Sequence, residues 1–165
     1  MTTDKYIFFW GGTFSQWCPS PIVIDGVNYN CTEQYMMAKK ALMFSDYDAY
    51  REIMLEKQPA LQKAMGKKVR GFDKVIWEIY CNKIVYDANY AKFTQNKGMR
   101  DELMGTIGKE IVEASPEDKI WGIGMHETHP DILDKSKWQG TNWLGEAIMQ
   151  VRNTLIAEES ISYTD

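Results

Sequence analysis

Asp73 and the residues after it constrain the fold more than any other part of this chain. Asp73 is a side-chain type suited to capping a helix. Behind it a helix is predicted over residues 74–93, with Val75, Ile76, Ile79, Tyr80, Lys83, Ile84 and Asp87 tracing its 3.6-residue stripe. This is the expected central helix.

The flanking segments are shorter. Tyr6-Ile7-Phe8-Phe9-Trp10 reads as a buried strand ended by Gly11-Gly12, and after Pro19 and Pro21 the Asp25-Gly26 turn leads into Val27-Asn28-Tyr29, a hairpin-like region. Helices are predicted from Thr32, as N-cap, to residue 42 or 43, over 46–55 with Asp46 as cap, and over 60–65, stopped by Gly66. Lys97-Gly98 resets the chain before a short helix over 99–104. Residues 109–114 read as strand or loop, 120–124 as a buried strand, and Asn142 opens a final helix over 143–157. A frayed tail is expected over 158–165. Strand-like runs gather near the start and at 120–124 instead of alternating with helices. The expected class is therefore α+β, a single compact helix-rich domain over 1–157 with a few short strands.

At 165 residues, with 44% apolar and 25% charged side chains, the composition is that of a globular domain. A net charge of -4 without a basic block argues against backbone-driven binding to long nucleic acid, but leaves a single nucleotide open. No apolar run nears the roughly 20 residues that span a bilayer, and no signal pattern opens the chain, so no membrane association and a cytoplasmic location are expected. Cys18, Cys31 and Cys81 lie far apart without C-x-x-C spacing, which predicts reduced thiols. His126 and His129 fall in a loop-like stretch with no cysteine nearby, and no metal or other cofactor is expected. Neither G-x-G-x-x-G after a strand nor G-x-x-x-x-G-K-[ST] occurs.

The candidate chemistry begins at Thr32-Glu33-Gln34-Tyr35-Met36-Met37-Ala38-Lys39-Lys40-Ala41. Helical spacing puts Glu33, Met37 and Lys40 on one face, an acid and an amine with an apolar spacer between them. Such a face can hold both groups against one substrate. It can equally be a favourable charge in the first turn followed by a solvated lysine. Six Trp, nine Tyr and six Phe form an aromatic-rich set, some members of which are expected to line a site and most to pack the core.

Four segments combine polar, aromatic and glycine residues: Gly12-Thr13-Phe14-Ser15-Gln16-Trp17, residues 33–40, residues 114–124, and Trp138-Gln139-Gly140-Thr141-Asn142-Trp143-Leu144-Gly145. With Gly66-Lys67-Lys68-Val69, Phe72-Asp73, Trp77, Ala91-Lys92-Phe93-Thr94-Gln95-Asn96 and Met149-Gln150-Val151-Arg152, they resemble the YbiA-like (NADAR) superfamily in unbroken order over roughly residues 7–155. The resemblance implies the YbiA-like fold and N-glycosidase activity on ribosylated nitrogen compounds. The substrate would be either a riboflavin-pathway phosphoribosylaminopyrimidine or ADP-ribosylated guanine in nucleic acid, with no stable protein partner readable. By position, the resemblance implies catalytic roles for Glu33 and Lys40. Substrate contacts fall on Phe14, Ser15, Gln16, Tyr35, Trp77, Trp121, Gly122 and Asn142, and a weaker phosphate contact on Lys67, Lys68 and Arg70. The family's Phe-Ser-Asn-Phe loop is Phe14-Ser15-Gln16-Trp17 here, with a longer amide and a larger second aromatic. Its Gly-Arg pair is Gly66-Lys67, which lacks the planar fork that grips phosphate.

Physical chemistry asks for the same residue types. Breaking a C1–N bond in a riboside builds positive charge at C1 and the ring oxygen, so a carboxylate stabilises the transition state while the leaving base needs a proton. Glu33 and Asp118 are the candidates. A desolvated lysine offers a second route, its neutral amine attacking C1 to give an imine that water hydrolyses, and Lys40 is the candidate. Trp77 and Trp121 are candidates to stack on a base, with Trp138 read as packing. Asn142 serves equally as an N-cap or a site residue, and Arg152 is expected to face outward or pair with an acid, with a phosphate role open. Lys63, Lys67, Lys68 and Arg70 form either a local basic patch or a solvated helix end. The alternative reading is a non-catalytic ADP-ribose or NAD-binding module, which has no use for a paired Glu33 and Lys40.

Overall fold

The structure, a computed structural model, describes residues 1–162. Its elements in chain order are β1 (Tyr6–Phe9), β2 (Ile22–Ile24), β3 (Val27–Tyr29), α1 (Thr32–Met43), α2 (Tyr47–Leu55), α3 (Pro59–Gly66), α4 (Lys74–Gln95), α5 (Lys97–Met104), β4 (Glu110–Glu113) and α6 (Trp143–Ser162), with a 3-10 turn at Lys135–Lys137. The class is α+β and helix-rich, as expected. Contacts divide the chain into an inner unit, Gln16–Lys97, and an outer unit made of Met1–Ser15 and the chain from Gly98 onward.

In the inner unit Asp25 and Gly26 both take positive φ, 52° and 77°, which closes β2 and β3 into an antiparallel hairpin pairing Ile24 with Val27. Gln95 clasps this hairpin, accepting from the Val23 N–H and donating to the Val23 carbonyl, both at 2.8 Å. Helix α1 is the hub, with α2, α3, α4 and β3 packed around it. Asp46 caps α2 through the Ala49 N–H, and Asp73 caps α4 through the Val75 and Ile76 N–H groups, as the sequence predicts.

Three sequence expectations change here. The stripe on α4 faces water: Val75 is 70% and Ile79 66% exposed. Trp77, Cys81, Val85, Ala88, Asn89, Ala91, Lys92 and Phe93 are buried instead. Cys81, Ala88 and Ala91 on that face are small, and its Asn and Lys disguise it as a solvated face. Thr32 is not the N-cap of α1; Cys31 occupies that position without a side-chain cap, and the Thr32 hydroxyl donates to the Gln16 carbonyl at 3.2 Å. Gly66 does not terminate α3 in a left-handed turn. It is the last helical residue, followed by Lys67 at φ -68°, and a Cβ there would lie 1.9 Å from Met37 Sδ. The glycine leaves room for the Met37 side chain where α1 packs on α3, and a larger residue would make that side chain move.

In the outer unit β1 and β4 pair in parallel, Tyr6 opposite Glu110 and Phe9 opposite Glu113, and α6 packs against β4. The core comprises Tyr6, Phe8, Val112, Ala114, Ile123, Met125 and Ile132, with Trp138 packed against it. Residues 120–124 are not the expected strand but a chain of bends without a sheet partner. Their carbonyls serve the approach to α6: Ile120, Trp121, Gly122 and Ile123 accept from Trp143, Leu144, Asn142 and Gln139. The first amides of α6, which lack partners within the helix, are satisfied this way. A Cβ on Gly140 would stand 2.3 Å from the Gly122 carbonyl, so this interlock requires glycine. Helix α6 runs past residue 157 to Ser162, so the first part of the expected tail is helical; residues 163–165 lie outside the described residues.

Candidate active site

The inner unit assembles its candidate chemistry around α1. The Gln16 carbonyl accepts from the Glu33 N–H at 3.1 Å and from the Thr32 hydroxyl, so the loop before the hairpin fixes the start of the helix. Gln16 is itself buried, and its side-chain oxygen accepts from Asn89 Nδ2 on α4 at 3.2 Å. Glu33 is 6% exposed. Seven residues along a helix is about 10 Å of rise, too far for a direct ion pair between short groups, but a lysine side chain tilts toward the helix N-terminus and shortens the gap.

Lys40 is half-buried, with Nζ 4.4 Å from the Phe72 ring centroid and 5.7 Å from that of Trp77. Burial lowers its pKa from the ordinary lysine value; the Glu33 charge opposes that shift and the Lys67 charge adds to it. Both aromatic faces attract the cation, and among the burial and charge effects on the amine desolvation is the largest. Glu33, Lys40, Lys67, Phe72 and Trp77 therefore make one electrostatic neighbourhood. The Cys31 thiol is pushed up to about 11, chiefly by burial, and feels Glu33 and Lys92 with opposite signs. Lys92 is fully buried.

The other inner-unit candidates have structural engagements. Tyr35 is buried edge-on against Tyr29, and burial pushes its hydroxyl up to about 12. Arg70 is held by Asp46 at 3.0 Å and Asp48 at 3.1 Å, which commits its charge to carboxylates. With Lys68 it lines a cleft of about 450 Å³ between α2 and α3.

In the outer unit Phe14 packs on Phe9, and the Ser15 N–H donates to the Gly12 carbonyl at 3.0 Å. Asp118, Trp121, Gly122 and Asn142 come together at the approach to α6. One Asp118 oxygen accepts from the Ile120 and Trp121 N–H groups, both at 2.8 Å, building the bend. The Trp121 ring meets Trp143 edge-on, and Gly122 is required because a Cβ would meet the Asp118 and Glu113 carbonyls at 2.9 Å. Asn142 precedes α6 but does not cap it: at φ 51° its side chain accepts from Glu113 N–H and donates to the Ile111 carbonyl. It ties α6 to β4. Trp138 packs on Tyr6 and Phe8, as read from the sequence, and its indole N–H donates to the Ile132 carbonyl. Arg152 corrects an expectation. It is buried, and its Nη1 donates to the Thr106 carbonyl and hydroxyl and to the Lys109 carbonyl at 2.8–2.9 Å.

Phe72, Asn89 and Lys92 were missing from the sequence-derived site. Phe72 directly precedes the Asp73 cap, which was the available signal. Asn89 and Lys92 were readable only once Trp77, Cys81 and Val85 were known to face inward. Among the described residues, no cluster of three His, Cys, Asp or Glu could hold a metal, and no helix is long and apolar enough to cross a membrane.

Comparison with known proteins agrees with this arrangement of segments. The NADAR domain family model matches residues 8–156. N-glycosidase R617 of Acanthamoeba polyphaga mimivirus is 40% identical over 165 residues, covering 92% of this chain and 97% of that protein. N-glycosidase YbiA of Escherichia coli K12 is 29% identical over 158 residues, covering 96% of this chain and 87% of that protein. The NMR structure of the E. coli protein YbiA superposes with a TM-score of 0.78 at 27% identity, covering 96% of this chain and 89% of that one. One family model thus spans segments of both units, and the chain belongs to the NADAR domain family.

Proposed function

We propose that this chain is an N-glycosidase that hydrolyses the C1–N bond of a ribosylated, nucleotide-like substrate. The observation that carries the proposal is the Lys40 amine, half-buried against Phe72 and Trp77 with a lowered pKa, on the same helix as a buried Glu33. Lys39, Lys63 and Lys135 each lie over one ring, whereas Lys40 lies over both Phe72 and Trp77 and is desolvated enough to lower its pKa. A pure binding module gains nothing from a desolvated amine beside an acid.

In the proposed reaction the neutral Lys40 amine attacks C1 while the C1–N bond breaks, and the Glu33 carboxylate passes one proton of the new ammonium to the base, which leaves with the bond's electron pair. The remaining proton on the Lys40 nitrogen moves to the ring oxygen as that oxygen leaves C1, which gives an imine between Lys40 and the opened sugar. Glu33 then relays a proton from water to the imine nitrogen as the hydroxyl adds to the imine carbon; the added hydroxyl's proton passes to nitrogen as the amine departs, releasing the ribose as an aldehyde and regenerating the enzyme. Lys67, whose charge already acts on Lys40, is the candidate contact for a substrate phosphate. The substrate class is a phosphoribosylaminopyrimidine of the riboflavin pathway or ADP-ribosylated guanine. Each is to be incubated with the protein and ribose release measured. Borohydride should then trap the sugar on Lys40. An adduct on another lysine refutes the covalent route, and no release from either substrate refutes the function.

A further inference from the structure

We propose that Arg70, clasped by Asp46, is a positioning residue for Lys40, acting through Phe72. This rests on the reading of Lys40 as the reactive amine, and every contact it uses lies within the inner unit.

The segment after α1 turns back on the helix end that carries Lys40. The Phe44 N–H donates to the Lys40 carbonyl at 3.3 Å, and the Asp46 N–H to the Ala41 carbonyl at 2.9 Å. Asp46 is 4% exposed. One of its oxygens accepts from Ala49 N–H and Arg70 Nη2, and the other from the Arg70 backbone N–H at 2.9 Å. One carboxylate therefore caps α2 and holds the backbone two residues before Phe72. Between them Gly71 takes φ 75°, and a Cβ there would contact the Phe44 carbonyl at 3.6 Å. The Phe44 ring then meets the Phe72 ring edge-on, with centroids 5.4 Å apart.

The consequence falls on Lys40. Phe72 is 43% exposed, and its ring, centred 4.4 Å from the Lys40 ammonium, shields part of it from water. Asp46 is held down to about 2, first by its bond from the Arg70 side chain, so the clasp is intact throughout the working pH range. Releasing Arg70 frees Phe72, admits water to Lys40 and moves the amine back toward its ordinary pKa. The charges acting on Lys40 directly, Glu33 on α1 and Lys67 after α3, are untouched by that release.

The test is the Lys40 pKa, read by isotope-edited lysine NMR in the wild type, Asp46→Asn, Phe72→Ala and the double variant. Asp46→Asn keeps an oxygen to cap α2 through the Ala49 N–H but sets an amide NH2 against the Arg70 backbone N–H and removes the charge that holds the guanidinium, so the clasp is lost while the fold should survive. Each single variant should raise the pKa by about half a unit or more, roughly a threefold loss of neutral amine, and the double variant should add nothing further. The ascending limb of kcat/KM should shift by the same amount. An unchanged Lys40 pKa in Asp46→Asn beside a raised one in Phe72→Ala overturns the clasp. Because the NMR readout needs no turnover, absence of glycosidase activity with the expected shifts would count against the proposed function alone.

Discussion

Lys40 Nζ lies 4.4 Å from the centre of the Phe72 ring, yet the net influence on the amine disfavours its charge. Burial removes water from the ammonium, and that desolvation outweighs the opposing Glu33 charge. The neutral amine is accordingly present at lower pH than in free lysine, whose value is 10.5. Activity should rise with pH along a limb below that value, measured as kcat/KM across the alkaline range. A limb at the ordinary lysine value would mean that Lys40 does not attack as the free base.

The same shift has a consequence for stability. The unfolded chain holds the Lys40 proton more tightly than the folded one, so stability rises with pH between the lowered pKa and 10.5. Lys40→Met should abolish turnover while raising the melting temperature near neutral pH. The gain should vanish above the ordinary lysine pKa, which melts in paired buffers will show.

Replacing Glu33 by Gln keeps the shape but removes the carboxylate that relays protons. Turnover should fall by about a hundredfold to ten-thousandfold, the usual contribution of a positioned acid or base. Product affinity, measured by calorimetry, should change little. Equal losses in affinity and turnover would make Glu33 a binding residue.

Gly145→Ala should destabilise the protein even though Ala is the better helix former. An added Cβ would lie 2.1 Å from the Ile111 carbonyl, a backbone atom that cannot swing aside. The cost expected is about 3 kcal/mol, the upper end for overpacking, read from urea unfolding.

Arg152→Met should act on folding and not on phosphate. It removes donors to the Thr106 and Lys109 carbonyls in a buried setting. A loss on the order of 2–3 kcal/mol is expected from the unsatisfied acceptors. KM for a phosphorylated substrate should be unchanged in the folded fraction.

The sequence alone placed the caps at Asp46 and Asp73, the Asp25-Gly26 turn, the α1 segment and the common helical side of Glu33 and Lys40. All depend on neighbours within a few residues, where backbone hydrogen bonding and helical spacing decide the outcome. Tertiary structure decided which face of α4 is buried, because that face is built partly from small or polar residues, Cys81, Ala88, Asn89, Ala91 and Lys92, which apolar periodicity does not pick out. It also decided that residues 120–124 form bends, since their carbonyls bond to residues some twenty positions later instead of to a neighbouring strand. The position of Phe72 over Lys40 belongs to the same class. It depends on Asp46 reaching across 24 residues to Arg70, and a contact of that range leaves no periodic trace in the chain.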